Sequence, residues 1–253
     1  MSLTGKVAII TGSSSGIGAA TAKKFSENGA SITIIGRDEA RLLEVAKHCE
    51  KASGKKPLCL LLDLTVKGNC EEVVRKTVET FQKIDILINC AGKLIMTSLF
   101  DTTMEAFDEL VALNLRVTFQ MTQLCAPYLK VTKGNVVNIF GAPFRVRPGF
   151  LPIAMVRDAL DRFTKAGAVE LAAEGIRMNA VRPGITRTNL LNNLNLDEDS
   201  LDRVYDKLST LSPNNIILKP EEIADTIYYV VSDLSPNAIG SQIIVDGGAT
   251  SYS

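Results

Sequence analysis

The 253-residue sequence contains no tryptophan and a single histidine, His48. Its five cysteines, Cys49, Cys59, Cys70, Cys90 and Cys125, form no C-x-x-C pair. One histidine and no cysteine pair leave nothing to build a zinc site, so no metal is expected. An odd set of cysteines reads as free thiols in a reducing compartment, the cytoplasm. Charge of either sign is not in excess: 28 basic residues face 28 acidic ones. A neutral chain carries no electrostatic footprint for nucleic acid or an anionic membrane. No apolar run approaches the roughly 20 residues of a membrane span; the longest, in PLCLLLDL, has about six. MSLTGKVAIITG lacks the apolar core of a signal peptide, and GGATSYS matches no lipid anchor or retrieval signal, so neither secretion nor anchorage is expected. Hydrophobic residues at 46% and charged residues at 22% exclude disorder, collagen and coiled coil.

What the chain does contain is a regular alternation. KVAII (6–10), SITII (31–35), PLCLLL (57–62), IDILI (84–88), NVVNIF (135–140), IRMNAV (176–181) and SQIIVD (241–246) read as short strands. They are rich in Ile, Val and Leu on both faces, as a covered parallel sheet requires. Amphipathic helices are predicted near 17–28, 38–53, 68–82, 104–130, 155–174 and 221–233. Asn28-Gly29 closes the first helix, and Pro220 with Glu221 and Glu222 opens the last. Strand–helix alternation predicts one α/β domain over 1–253, Rossmann-like and doubly wound, with a mostly parallel seven-stranded sheet and helices on both faces. The stretch 186–216, rich in Asn, Leu and Asp, is the least regular and reads as a flap over a site.

TGSSSGIG, Thr11 to Gly18, follows the first strand and leads into a helix. Gly12 permits the tight turn, Gly16 lets backbone approach a pyrophosphate, and Gly18 lets the helix pack close to the sheet. A lone glycine motif is equally a plain strand–helix turn. Here the strand before it, the helix after it and its place at the start of the winding agree on a nucleotide.

This fingerprint resembles that of the short-chain dehydrogenase/reductase family. Further matching pieces follow in family order: DLT at 63–65, NCAG at 89–92, Asn114 in ALNL, NAVRPG at 179–184 and VDGG at 245–248. The resemblance spans essentially the whole chain. It assigns Gly12, Ser14, Gly16, Ile17, Gly18, Asp63, Leu64, Asn89, Ala91, Gly92, Pro183, Gly184 and Thr188 to the cofactor cleft, with Asp63 and Leu64 flanking the adenine and Thr188 at the nicotinamide carboxamide. Cys90 replaces the family's usual second Asn. Where the family places an acid to hold the ribose of NAD, this chain has Gly36 followed by Arg37. An arginine can fork onto a 2′-phosphate, so NADP(H) is favoured over NAD(H), although Arg37 is otherwise an ordinary solvated charge beside Asp38.

The resemblance also implies a proton relay: a Tyr, a Lys four residues later, and a Ser about thirteen residues before the Tyr, the i, i+4 pair sharing a helix face. DALDRFTKAGAVELAAEGIRMNAVRPG (158–184) registers without a gap. Counting back, the Lys position is Arg157, the Tyr position is Ile153, and the Ser position is Phe140 or Gly141. No tyrosine lies between 129 and 204. Asn114 alone remains of the catalytic four. Ile153 has no proton to give, Phe140 and Gly141 offer no side-chain donor, and Arg157 keeps its charge but cannot relay protons. Arg157 can still reach ribose hydroxyls.

Three functions follow as expectations. The first is an NADP(H)-binding pseudoenzyme of this family, holding an unknown small molecule. The second is an active NADP(H)-linked carbonyl or alcohol oxidoreductase with a displaced proton donor, Tyr205 in the flap, Cys90 or water. The third is a partner-binding structural protein without nucleotide. Ile153 and Phe140 are equally readable as ordinary core residues. Arg145, Arg147 and Arg182 lie near the site and invite an anion, although isolated charges are usually only solvated. A homodimer or homotetramer through the helices matching 104–130 and 153–174 is expected mainly from the resemblance.

Overall fold

Seven strands form in a computed structural model that describes residues 2–145, 147–194 and 197–252. They are β1 (Val7–Ile10), β2 (Ser31–Gly36), β3 (Leu58–Leu61), β4 (Ile86–Asn89), β5 (Asn135–Ile139), β6 (Arg177–Pro183) and β7 (Gln242–Val245). All pair in parallel, in the order β3-β2-β1-β4-β5-β6-β7. The helices are α1 (Gly16–Glu27), α2 (Glu39–Ser53), α3 (Asn69–Phe81), α4 (Met104–Val111), α5 (Val117–Thr132), α6 (Leu151–Ala172), α7 (Glu198–Ser209), α8 (Pro220–Val231) and α9 (Ala249–Tyr252). No described helix is long and apolar enough to cross a membrane.

Strand alternation explains the two main cores. Ala8, Ile10, Ile34, Ile86, Ile88 and Val137 face one side, against Phe25 of α1, Leu42 of α2 and Ile227 of α8. Ile9, Ile35, Leu87 and Val136 face the other, against Val73 of α3 and Met121 and Leu129 of α5. The Arg177 guanidinium donates to the carbonyl oxygens of Val230 and Ser235 at 3.0 Å each, a cation on the C-terminal end of α8.

Two expectations need correction. The helix predicted over 104–130 is interrupted: one π-helical turn, Ala112–Arg116, joins α4 to α5. The stretch 186–216 is not simply irregular. It carries a 3₁₀ helix at Asn189–Leu194 and the three-turn helix α7. Asp197 caps α7 by accepting from the Ser200 N–H at 2.8 Å, and Leu201, Val204, Tyr205 and Leu208 form its inward stripe. That i, i+3, i+4, i+7 spacing was masked by the polar residues around it. Positions 195 and 196 of the stretch lie outside the described residues.

The order of strands reverses between β1 and β4. In such sheets the crevice at the carboxyl ends of the strands, at this reversal, is where ligands bind.

Candidate nucleotide and active site

At the end of β1, Thr11 and Ser13 tie the glycine loop to its neighbours. The Thr11 hydroxyl accepts the Cys90 and Ala91 N–H groups at 3.0 Å each. Ser13 accepts the Ile35 N–H at 3.1 Å and donates to the Ile10 carbonyl. Gly12 has φ +67°, and a Cβ there would lie 2.7 Å from the Ala91 Cα, so only glycine serves. A Cβ on Gly18 would stand 2.3 Å from the Gly12 carbonyl oxygen. Ser15, at the N-cap of α1, makes no side-chain capping bond. The first N–H groups of α1 are thus left for an anion. Ile17 packs its side chain onto the core beneath.

At the end of β2, a Cβ on Gly36 would lie 2.8 Å from the Ser14 Cβ. An acid at 36 therefore cannot be added without moving the glycine loop. Arg37 turns instead to Asp63, donating to its Oδ2 at 3.3 Å. Burial pushes the Asp63 carboxyl up, but the Thr65 hydroxyl and N–H, then Arg37, hold it below the usual range. Leu64 beside it is buried.

At the end of β4, the Asn89 amide group donates to Asn138 Oδ1 at 2.9 Å and Thr122 Oγ1 at 3.1 Å. Its side chain therefore ties β4 and β5 to α5. Asn89 Oδ1 has no partner among the described residues. Burial pushes the Cys90 thiol up to about 12, and Cys90 packs against the core under α1. At the end of β6, Pro183 accepts the Ala142 N–H and Gly184 donates to Val245, both at 2.8 Å. Thr188 then reaches over the glycine loop, its Cγ2 3.0 Å from where a Gly16 Cβ would stand. Tyr205 holds it there. The buried phenol donates to the Thr188 carbonyl at 3.0 Å and accepts its N–H at 3.2 Å.

Of the positions that the resemblance assigns to the relay, Ile153 packs with Phe140, and Gly141 lies against Arg157. Asn114 sits in the π turn, where Oδ1 accepts the Lys93 N–H at 2.8 Å and Nδ2 donates to the Lys93 carbonyl at 2.9 Å. It thereby fixes the segment after Gly92. Ile153 and Arg157 are one turn apart on α6. Ile153 is 5% exposed and belongs to an apolar cluster with Leu110, Phe140, Val156 and Leu160, against which Leu94, Ile95 and Phe150 pack. Gly141 lies against Arg157: a Cβ there would stand 2.7 Å from Nη2 and 2.9 Å from Cζ. Arg182 touches Gly141 from its other side. Its Nε and Nη2 donate to the Gly141 carbonyl at 3.3 and 3.2 Å, its Nη1 donates to Gln242 at 2.8 Å, and it stacks 4.8 Å from the Phe140 ring. Burial, then Arg182, lowers the Arg157 pKa.

The described phenols are engaged elsewhere. Tyr228 donates to Asn28 at 2.8 Å, Tyr205 is locked on Thr188, Tyr128 packs on the α3–α5 core, and Tyr229 is exposed on α8. The Tyr252 side chain lies outside the described residues. Of the three arginines noted in sequence, Arg182 is buried and fully engaged, while Arg145 and Arg147 are exposed. His48 is exposed on α2.

A family model described as enoyl-(acyl carrier protein) reductase matches residues 12–250. The chain belongs to the short-chain dehydrogenase/reductase family. It is 34% identical over 252 residues to a 3-oxoacyl-[acyl-carrier-protein] reductase of Thermotoga maritima, covering 98% of this chain and 99% of that one. It is also 34% identical to a 3alpha-hydroxysteroid dehydrogenase of Mediterraneibacter gnavus, over 99% of both chains. A Caenorhabditis elegans short-chain dehydrogenase/reductase of unknown function, solved with cofactor, superposes with TM-score 0.93 at 32% identity, over 99% of this chain and 97% of that one. A Burkholderia cenocepacia short-chain dehydrogenase in complex with NADP gives 0.89 at 27% identity, over 98% and 99%.

Members of this short-chain dehydrogenase/reductase family bind nicotinamide dinucleotides, and the residues present fit one. The Gly12–Gly16–Gly18 cradle and the uncapped α1 terminus fit a pyrophosphate, and Gly36 places no acid at the end of β2. Two contributors escaped the sequence reading. The Ser14–Gly36 contact joins loops 22 residues apart, and the Tyr205 clamp depends on a helix whose pattern was obscured.

Proposed function

We propose that this short-chain dehydrogenase/reductase binds NADP(H) and has lost the family's proton relay, serving as a catalytically impaired, nucleotide-loaded ligand-binding protein. Bound nicotinamide supplies or accepts a hydride. Reduction of a carbonyl then needs a proton for the new alkoxide and a donor for its developing charge. Ile153 is the observation that carries the proposal: it closes an apolar cluster where the relay needs a phenol. Gly141 brings no hydroxyl, and Arg157 holds its proton too tightly to pass it on. Loss of a general acid alone costs on the order of 10²–10⁴ in rate.

Arg37 and Gly36 support NADP(H) over NAD(H), because a guanidinium there can meet a 2′-phosphate and position 36 itself carries no carboxylate. Asn114 and the glycine cradle, both in place, favour one second reading: an active NADP(H)-linked carbonyl or alcohol oxidoreductase drawing its proton from elsewhere, as the named reductase and dehydrogenase relatives would suggest. Five free thiols fit a reducing compartment, the cytoplasm. Exposed Phe119 on α5 and Met155 and Val169 on α6 fit a homodimer or homotetramer through those helices.

Calorimetric titration with NADPH and NADH, followed by a turnover panel of ketones, aldehydes, steroids and alcohols, tests these points. Submillimolar NADPH binding with turnover at least a hundredfold below ordinary family rates is expected. Turnover within a hundredfold of those rates gives the case to the oxidoreductase; absence of binding below millimolar sinks the nucleotide.

A further inference from the structure

Two ion pairs stand at the carboxyl ends of strands that flank β1. After β2, Arg37 donates to Asp63 at 3.3 Å. After β4, the Lys93 ammonium pairs with Glu109 of α4. Lys93 directly follows the Ala91-Gly92 strand end. Its backbone is gripped twice by Asn114, which accepts its N–H at 2.8 Å and donates to its carbonyl at 2.9 Å. The point from which the side chain leaves the cleft floor is therefore fixed, and a substitution there leaves the grip in place. The Lys93 side chain is 26% exposed, against 69% for Arg37, so its stem lies along the protein and only its head meets solvent.

The partner shows which way that head points. β4 has β1 and then β2 on one side and β5 on the other. The Glu109 carboxyl is held below its usual range by the Lys93 ammonium first and, more weakly, by Arg37. Exposed charges act on each other over about one Debye length, roughly 8 Å at physiological ionic strength. Glu109, and with it the Lys93 head, thus lies on the β2 side of β4, within the field of Arg37. That is the side on which Asp63 and Leu64 follow β3, away from Phe140 and Gly141 after β5. Two cations and two carboxylates balance there. A phosphate adds about 1.5 to 2 negative charges, and Arg37 is already shared with Asp63. An unphosphorylated ribose adds none.

We infer that the Lys93 ammonium is a second determinant of 2′-phosphate recognition beside Arg37, drawn from Glu109 onto the phosphate. An ammonium is a compact charge on a flexible four-carbon stem, suited to change partners in this way. Its present partner is 64% exposed, and a pair so solvated contributes little, so leaving it costs little. Glu109 competes for the ammonium and repels the phosphate; both effects oppose NADP(H). The inference rests on the proposed NADP(H) reading and adds a residue by which the cleft distinguishes the two nucleotides.

The test measures Kd by calorimetry for two pairs of probes, NADPH with NADH and adenosine 2′,5′-bisphosphate with 5′-AMP, in the parent and three variants. Lys93→Met keeps an unbranched stem without the charge. It is expected to cut the preference for the phosphorylated member of each pair by about fivefold or more, with NADH and 5′-AMP held within about twofold. Lys93→Arg should keep the preference. Glu109→Gln, which removes the competing carboxylate, should raise it by about threefold. A preference unchanged within about twofold in Lys93→Met overturns the inference. So does an equal loss for both members of a pair, which would make the lysine a packing residue of the cleft floor, and so does a fall in preference in Glu109→Gln. The parent separates this failure from that of the underlying reading. A parent that binds neither nucleotide, or both alike, removes the NADP(H) preference and Lys93 with it. A parent that prefers NADPH, with the preference retained in Lys93→Met, removes Lys93 alone.

Discussion

Gly36 and Arg37, adjacent at the end of β2, pull in the same direction. The first has no room for an acid because Ser14 stands in the way, and the second places a guanidinium beside Asp63. Arg37 is mostly exposed, so its pairing with Asp63 contributes little to stability. Its value is in what a 2′-phosphate would gain there. A charge-assisted hydrogen bond is worth about 1.5–3 kcal/mol, or roughly a tenfold to hundredfold change in affinity. Arg37→Ala is therefore expected to raise the Kd for NADPH by about 10- to 100-fold and to leave NADH within threefold, measured by calorimetry. An equal loss for both nucleotides would mean that Arg37 serves only the adenine pocket through Asp63.

At the scale of the element, the Thr188 backbone in the segment after β6 is held by one phenol. Tyr205 on α7 makes both hydrogen bonds to the Thr188 backbone, and Thr188 covers Gly16. Tyr205→Phe keeps the ring but deprives the partly buried Thr188 N–H and carbonyl of their partner, at a cost of about 1 kcal/mol. If the loss is local, hydrogen exchange at the Thr188 amide should speed by about tenfold or more while the amides of β1 and β4 stay protected. Uniform acceleration across the sheet would show instead that α7 is part of the global fold. This clamp marks where sequence reading stops. The seven strands and most of the helices were legible because burial on both faces and 3.6-residue spacing leave a periodic trace. The glycine cradle was legible because its chemistry is local. Contacts between distant loops leave no such trace: nothing in the sequence at Tyr205 points to Thr188, nor at Ser14 to Gly36. The π turn at Ala112–Arg116 was equally hidden, because its residues continue the apolar pattern of the helices on either side.

Across the whole molecule, the positions that the family resemblance assigns to the proton relay pack as one unit. Ile153 packs with Phe140, and the space of a side chain at 141 is filled by the guanidinium at 157. Reversion one residue at a time should therefore fail for structural reasons. Ile153→Tyr alone puts a larger ring and an unpartnered hydroxyl into an apolar cluster, each typically costing about 1–3 kcal/mol. Gly141→Ser alone collides with Arg157. Arg157→Lys removes the planar head and reopens that space, so the double variant Gly141→Ser/Arg157→Lys is expected to be more stable than the sum of the singles by at least about 0.5 kcal/mol in denaturant unfolding. Only the triple variant, with Ile153→Tyr added, gives the phenol a hydroxyl and an ammonium as neighbours. It should gain NADPH-dependent reduction of simple ketones by about 10²-fold or more over the parent, the usual scale of a restored general acid. A triple variant that folds and binds NADPH yet gains nothing would mean that the cleft between β5 and α6 no longer admits a carbonyl beside the nicotinamide. The missing phenol would then be a consequence of a remodelled ligand site and not the cause of lost turnover.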